Sequence, residues 1–414
     1  MIPASVIIVS RDRPAGLLRC LIGLTQQDHR GFEVIVVADP VGCARVRATG
    51  LAVKLAVFDV ANIAAARNIG LRLASAPVVA FIDDDAVPEP TWLSRLTAVF
   101  ADCDVVQAGG FVRGRNGISF QWQAIAVDAE ARDHALAVDA NAVSLHPGSA
   151  AWAVKTQGTN CAFRRDALLA IGGFDEGYRF YLDEADVNLR LAAKGGLTAV
   201  VPLAQVHHGY AVGARRRVDR VPDDLIEIGA SIAYFLRRHG GDASATAWHV
   251  ADQRARVLRL MQEGRIEPRD VARLMNSLAQ GMAEGAQRPL AALRPIVATP
   301  LPLVPMPGCG PRDGCVIAGR IWQGRRLAAQ ARAAVAQGKI VTVFCFGPSA
   351  RRHRHIFHPE GYWWQGGGLF GRADRRGAYM QIWLFGARLR AECRRIAALR
   401  PVDGSAKQCK FRQK

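Results

Sequence analysis

Three consecutive carboxylates, Asp83, Asp84 and Asp85, follow the apolar run 78–82 and precede Pro88 and Pro90. Such a run reads as a short buried strand ending in an acidic turn. Adjacent anions repel one another, so a fold that keeps them at a strand end must supply positive charge. A hard divalent cation, Mn²⁺ or Mg²⁺, meets that need and shares its remaining positions with substrate phosphates. The same residues would otherwise form a solvated turn or cap the helix that begins near Thr91. A second cluster, Asp183, Glu184 and Asp186, lies on a helix over 181–191. Acids in a first turn complement the helix dipole, but three in four residues exceed what capping requires. His207 and His208 follow a strand over 199–203, where a histidine pair can bind metal or act in catalysis.

The elements that must position these groups alternate. Strands over 5–9, 33–39, 55–58 and 78–83 are interleaved with helical patterns, one of which opens on the cap residue Asn62. Alternation of this length predicts βαβ units and a largely parallel sheet. Ligands of such sheets sit outside the carboxyl ends of the strands, where residues 10–13, Asp39 and the three aspartates all fall. The first turn has one glycine, Gly16, with neither G-x-G-x-x-G nor a P-loop, so a nucleotide there would be held by other means. Residues 111–155, with Gln121, Trp122 and Gln123, read as a helix plus a loop able to line an acceptor site.

Taken together, these ordered motifs resemble the family 2 glycosyltransferases over about residues 5–240. The resemblance implies an α/β GT-A fold with a mixed, mainly parallel sheet. It also implies inverting transfer of a sugar from a nucleoside-diphosphate sugar to a hydroxyl of a polysaccharide or glycolipid acceptor, saccharide or lipid-linked. Ser10, Arg11 and Arg13 fall in the nucleotide-contacting turn, and Asp39 matches the acid at the nucleotide base. Arg67 and Asn68 stand in an A-R-N-x-G helix near the diphosphate. Asp83 to Asp85 match the D-x-D motif, with Asp83 toward the ribose, Asp85 on the metal and Asp84 grouped with the donor-binding set. His207 or His208 matches the metal-proximal histidine, and Asn160 and Asp186 lie in segments assigned to the acceptor side. The family usually has Glu then Asp at the base motif, whereas this chain has Asp183 then Glu184. Glu184 occupies the base slot, and either carboxylate can reach an acceptor hydroxyl. The chemistry is coherent: a metal stabilises the leaving diphosphate, and a carboxylate takes the acceptor's proton.

Bulk properties set outer bounds. The 414 residues allow two or three domains, and no window reaches the roughly 18 uninterrupted apolar residues of a membrane span. The amino-terminal residues have no basic region ahead of an apolar run, unlike a signal peptide. Nine cysteines without a C-x-x-C pair suit a reduced, cytoplasmic protein. The net charge is +18, and residues 341–414 hold 15 Lys or Arg against 4 Asp or Glu. With the aromatic, glycine-rich stretch 361–372, this end suggests peripheral contact with the inner face of a membrane or capture of an anionic acceptor, nucleic acid being disfavoured. The expected organisation is a catalytic domain over 1–215, a helical extension over 216–287, a Pro-rich linker over 288–312 and a basic accessory domain over 313–414. Arg215 to Arg217 reads as a solvated basic face. Two other readings compete: a haloacid-dehalogenase-like phosphatase using Asp83 and Asp85, and a non-catalytic sugar- or nucleic-acid-binding protein led by the basic end.

Overall fold

A computed structural model describes residues 1–209, 217, 221–290, 292–299 and 301–402. Arg215 and Arg216 lie outside the described residues. The first half alternates as the hydrophobic pattern demands: β1 (Ala4–Ser10), α1 (Pro14–Leu24), β2 (Phe32–Ala38), α2 (Pro40–Arg47), β3 (Lys54–Val57), α3 (Ile63–Leu73) and β4 (Val78–Asp83). Pro14 and Pro40 open their helices at positions that need no amide donor. Asn62 caps α3 by accepting from the Ala65 amide at 3.0 Å. Strands β3, β2, β1 and β4 are all parallel neighbours.

Beyond β4 the chain continues through β5 (Ala86–Pro88), α4 (Trp92–Ala98), β6 (Val105–Arg113), β7 (Phe120–Trp122), β8 (Ile125–Asp128), β9 (Asp133–Ala135), β10 (Ser144–His146), β11 (Trp152–Val154), β12 (Cys161–Arg164), α5 (Arg165–Ala170), α6 (Asp183–Ala192) and β13 (Leu197–His208). The sheet runs β10-β13-β6-β12-β4-β1-β2-β3, with β5 on β13 and β7 on β6. It is mixed: β12 is antiparallel to both neighbours, while β13 and β6 run parallel. Alternation along the strands feeds two cores. Val6 and Ile8 pack with α1 and α4, whereas Ile7 and Phe81 pack with α3, α5 and α6. The expected helix within 111–155 is absent. Its place is taken by three- and four-residue strands, of which β11, β8 and β9 form a small separate sheet.

Helices α7 (Ile226–His239), α8 (Ala243–Gln262) and α9 (Pro268–Gln287) come next. They share a core with α6, where Leu182, Ala185 and Leu189 meet Ile228, Ile232 and Leu278. The segment expected as a linker is tied to the catalytic domain at more than one point. The Ile296 amide donates to the Leu169 carbonyl and the Met306 amide to that of Phe32, with Met306 buried in the main core. Then come β14 (Gly314–Arg320), α10 (Gly324–Ala336), β15 (Ile340–Gly347), β16 (Arg354–Phe357), β17 (Trp363–Gly368) and α11 (Phe385–Ile396). They form a second sheet, β14-β15-β17-β16, covered by α10 on one face and α11 on the other. This is the expected small α/β unit. Among the described residues no helix is long and apolar enough to cross a membrane.

One buried carboxylate ties the strap to the sheet. Glu33 is fully buried and accepts from Ser5 Oγ (2.6 Å), the Ser75 amide (2.8 Å) and the Val304 amide (3.1 Å), with Lys54 Nζ at 2.8 Å. Burial raises its pKa, but Lys54 and these donors outweigh burial and hold it below the ordinary carboxylate value. A depressed carboxylate stabilises the fold above its unfolded pKa and loses that contribution as pH falls through the folded value. Glu33→Gln is therefore expected to cost about 2 kcal/mol in denaturant unfolding at neutral pH. The gap to the parent protein should close below about pH 4. A gap that stays constant with pH would contradict this account.

Candidate active site

The carboxyl ends of β1 and β4, the start of α6 and the end of β13 surround a cleft of about 450 Å³. Asp83 ends β4, and Asp85 lies in the two-residue turn into β5. Strand β5 pairs with the end of β13, His208 opposite Ala86, and this brings the histidine to the aspartates. His208 Nε2 stands 3.1 Å from Asp85 and 3.7 Å from Asp83. The ligand atoms of all three residues lie within 4.8 Å of one another. His208 Nδ1 faces Gln121 Oε1 at 3.1 Å, and a proton held there turns the Nε2 lone pair toward the aspartates, where a metal could take it. Two carboxylates and an imidazole fit a divalent cation of the Mn²⁺ or Mg²⁺ kind. Among the described residues the other such grouping, Asp102, Cys103 and Asp104, is fully exposed and outside the cleft.

Opposite this trio stand Asp183 and Glu184, at the first turn of α6. The helix begins from two consecutive left-handed residues, Tyr181 (φ 76°) and Leu182 (φ 67°), and Leu182 is held by complete burial. Asp183 is buried and ion-paired with the equally buried Arg67. Arg67 also approaches Asp83 at 3.8 Å and Glu184 at 4.0 Å. Burial disfavours the Arg67 charge, but the three carboxylates overcome this and raise its pKa. Burial and the neighbouring Glu184 push Asp183 upward. For Glu184, the hydrogen bond from Asp183 and the charge of Arg67 overcome burial and hold it at about 2. Glu184 also accepts from the Gly158 amide at 3.3 Å and keeps 20% of its side chain exposed, against 2% for Asp183. The cleft-facing carboxylate is therefore Glu184. A side chain at Gly158 would put its Cβ 2.1 Å from Arg67 Nη2, so glycine is required there.

Several expected site residues brace the cleft. Asp84 lies on its wall but is engaged there, accepting from Ser10 Oγ (2.7 Å) and Arg13 Nη1 (3.2 Å). Burial lifts it to about 7, since Arg13 and Ser10 only partly counter the desolvation. Asp39 caps α2 through the Gly42 amide and receives the amide of Asp12, which is left-handed at φ 61°. Its two oxygens are thus divided between the α2 cap and the β1–α1 turn, which sets Ser10, Arg11 and Arg13 on the cleft wall. Asn68 bonds Phe174 through both amide atoms and so fixes the 172–175 turn, away from the cleft. Asn160 and Asp186 are not on an acceptor side either. Asn160 is fully buried, bonded to Trp92 and to the carbonyls of Phe111 and Ala204. Asp186 is fully buried between Arg190 (2.6 Å) and His239 (3.0 Å). Gln121 and Trp122 do line the cleft, as do Arg115 and Tyr181, which no motif spacing announces.

The first part of the chain, with Asp39, Arg67 and Asp83 to Asp85, is matched by a family model. Residues 5–168 match the model described as glycosyl transferase family 2. This stretch is a family 2 glycosyltransferase domain. Among curated proteins, the chain is 28% identical over 226 residues to a pre-mycofactocin glycosyltransferase of Mycobacterium tuberculosis, covering 52% of this chain and 44% of that one. It is 26% identical over 248 residues to the O-antigen biosynthesis protein RfbC of Myxococcus xanthus, covering 53% of this chain and 18% of that one. The chain thus spans less than half the length of these relatives. Among solved structures, a Pyrobaculum calidifontis mannosyltransferase with GDP-Man and Mn²⁺ aligns at TM-score 0.43 and 18% identity, over 69% of this chain and 87% of that one. GalNAc-T7 with UDP, GalNAc and Mn²⁺ aligns at 0.45 and 14%, over 57% and 48%. The family match removes the phosphatase reading of Asp83 and Asp85.

His207 does not join the metal trio, contrary to expectation. Neighbours on a strand point to opposite faces, so His207 turns away as His208 faces the cleft. His207 is fully buried, with Nε2 2.7 Å from Glu89 Oε1. Glu89 is also ion-paired with the buried Arg400, whose guanidinium stacks 3.7 Å above the Trp363 ring. His355 Nε2 lies 3.2 Å from Arg400, and the Thr91 amide and hydroxyl both donate to the Leu399 carbonyl. Burial raises the Glu89 pKa, but Arg400 and His207 override it and hold it at about 2. The second sheet and its last helix are thereby clamped onto β5 and β13, the strand pair that brings Asp85 and His208 together. Removing one partner of a buried pair strands a charge at a cost of roughly 3–5 kcal/mol. Arg400→Leu and Glu89→Leu should each lose that much in denaturant unfolding followed by Trp fluorescence. The double variant should lose clearly less than the sum. Additive losses would show that the pair is not coupled.

Proposed function

We propose that the chain transfers a sugar from a nucleoside-diphosphate sugar to a hydroxyl of a saccharide or lipid-linked acceptor, with inversion at the anomeric carbon. The observation that carries this reading is the facing arrangement of Asp83, Asp85 and His208 on one wall and Glu184 on the other, with Arg67 between them. A divalent cation on Asp83, Asp85 and His208 would supply Lewis-acid stabilisation of the charge on the departing diphosphate. Arg67, Arg13 and Arg115 add fixed positive charge on the donor side of the cleft. Phe58 and Val60 supply apolar wall where a nucleobase can rest.

Glu184 acts as the general base. The acceptor oxygen attacks the anomeric carbon, the bond to the diphosphate oxygen breaks with its electron pair, and the acceptor proton passes to Glu184. A carboxylate held at about 2 is by itself a weak base. A bound diphosphate brings negative charge near Glu184 and raises its proton affinity toward the working range. Asp183, which is ion-paired with Arg67 and almost fully buried, positions Glu184 and does not meet the acceptor. Direct attack across one face of the sugar accounts for inversion. The relative named for O-antigen biosynthesis supports a saccharide acceptor.

The test is a screen of nucleotide sugars for Mn²⁺-dependent hydrolysis and transfer. At least one donor should be turned over. Asp85→Ala should abolish the metal dependence, and Glu184→Gln should lower kcat by about 10²- to 10⁴-fold with donor binding retained. If no donor is consumed, or if Glu184→Gln transfers at the parent rate, the assignment fails.

A further inference from the structure

The second sheet sits on the catalytic domain by its amino edge. Trp363, the first residue of β17, donates from Nε1 to Gln26 Oε1 at 3.3 Å, and Gln26 Nε2 donates to the Gly361 carbonyl at 2.6 Å. Just ahead of β14, Arg312 reaches the Thr25 carbonyl at 2.7 Å. Strands β14, β15 and β17 are parallel, so their carboxyl ends, at Arg320, Gly347 and Gly368, all emerge at the opposite edge. The segments leaving these three strand ends therefore form one surface. Its continuity is visible in the contacts. Arg320 lies 4.7 Å from the Phe385 ring, Phe385 packs on Phe346, and the Gln381 amide donates to the Phe370 carbonyl.

This edge is apolar and basic at once. Ile382 is 91% exposed and Leu384 82%, with Tyr379, Met380, Ile321 and Trp322 all more than half exposed. Six arginines between 351 and 376 stand against Glu360 and Asp374. Arg351, Arg352, Arg375 and Arg376 are exposed and have no ion-pair partner among the described residues. By contrast, the aromatic stretch expected to dock has turned inward: Trp363 is fully buried and Tyr362 nearly so.

We propose that this carboxyl edge docks on an anionic lipid membrane, with Ile382 and Leu384 entering the acyl boundary and the arginines meeting lipid phosphates. Side chains that stand clear of the surface suit a fluid interface better than a groove in a partner, and the surplus of arginine is complementary to anionic headgroups. The surface would hold the enzyme where a lipid-linked acceptor is found. The binding measurement needs neither donor nor acceptor, so its failure leaves the transferase reading of the cleft untouched.

The experiment is flotation of the full chain with vesicles of phosphatidylcholine alone or with about one-third phosphatidylglycerol. The protein should float with the anionic vesicles and remain behind with the neutral ones. Ile382→Asp/Leu384→Asp should lower the bound fraction about tenfold, and Arg375→Glu/Arg376→Glu should lower it comparably. These residues are exposed, so both variants should melt with the parent protein. Absence of vesicle binding, or parent-level binding by the Asp variant, would overturn the proposal. So would binding of a single-stranded oligonucleotide in place of vesicles, or a dimer that Ile382→Asp dissolves while vesicles are ignored.

Discussion

Arg67 is the charge on which the rest of the structure depends. It lies in a near-fully buried position within 4.0 Å of Asp83, Asp183 and Glu184, carboxylates from two separate elements. Burying an ion costs several kcal/mol, and three such carboxylates without a counter-ion could not stay charged. At about 4 Å each attraction is worth roughly 4 kcal/mol before desolvation. One guanidinium thus permits an acidic cleft to exist before any cation arrives. It also fixes geometry. α3 carries Arg67, β4 carries Asp83 and α6 carries the other two, so the ion cluster sets the distance between the two walls. Phe81 and Phe174 flank the guanidinium, and Gly158 leaves it room.

A second buried cluster extends the same logic outward. Glu89, His207 and Arg400 join the β5–β13 pairing to the carboxyl-terminal sheet. The strap over 288–312 and the helices α7 to α9 likewise share cores or hydrogen bonds with the catalytic sheet. The later segments are thus less an appendage than part of the frame that holds the cleft. Asp85 and His208 owe their proximity to a strand pairing whose far side is sealed by residues some 200 to 300 positions downstream of them.

The parallel strands were legible because each is a short apolar run with a turn signal, and strand ends name the cleft; their order in the sheet was not. The two acidic clusters and one histidine of the pair were legible for the same reason. Which histidine was not, because a strand's facing is set by its pairing partners, and β5 is only three residues long. Residues 111–155 were misread as helical because strands of three or four residues carry too few positions to show a period. Asn160, Asp186, Asn68 and Asp84 have the residue types of ligands, but most of their partners lie far along the chain. His239 takes up Asp186 together with Arg190 one turn on, and Trp92 takes up Asn160. A buried polar side chain must be satisfied, and sequence does not say by whom. The exposed edge of the second sheet was legible only as charge.

The central claim is that Asp83, Asp85 and His208 form a cation site facing Glu184 across Arg67. Crystals grown with Mn²⁺ and a nucleoside diphosphate test it most directly, through anomalous scattering at the manganese edge. A single strong peak bonded to Asp85 and His208, with the diphosphate beside it and Arg67 still paired to Asp183, is the predicted result. A peak at Glu89 and His207, or at Asp183 with Arg67 displaced, would contradict the account.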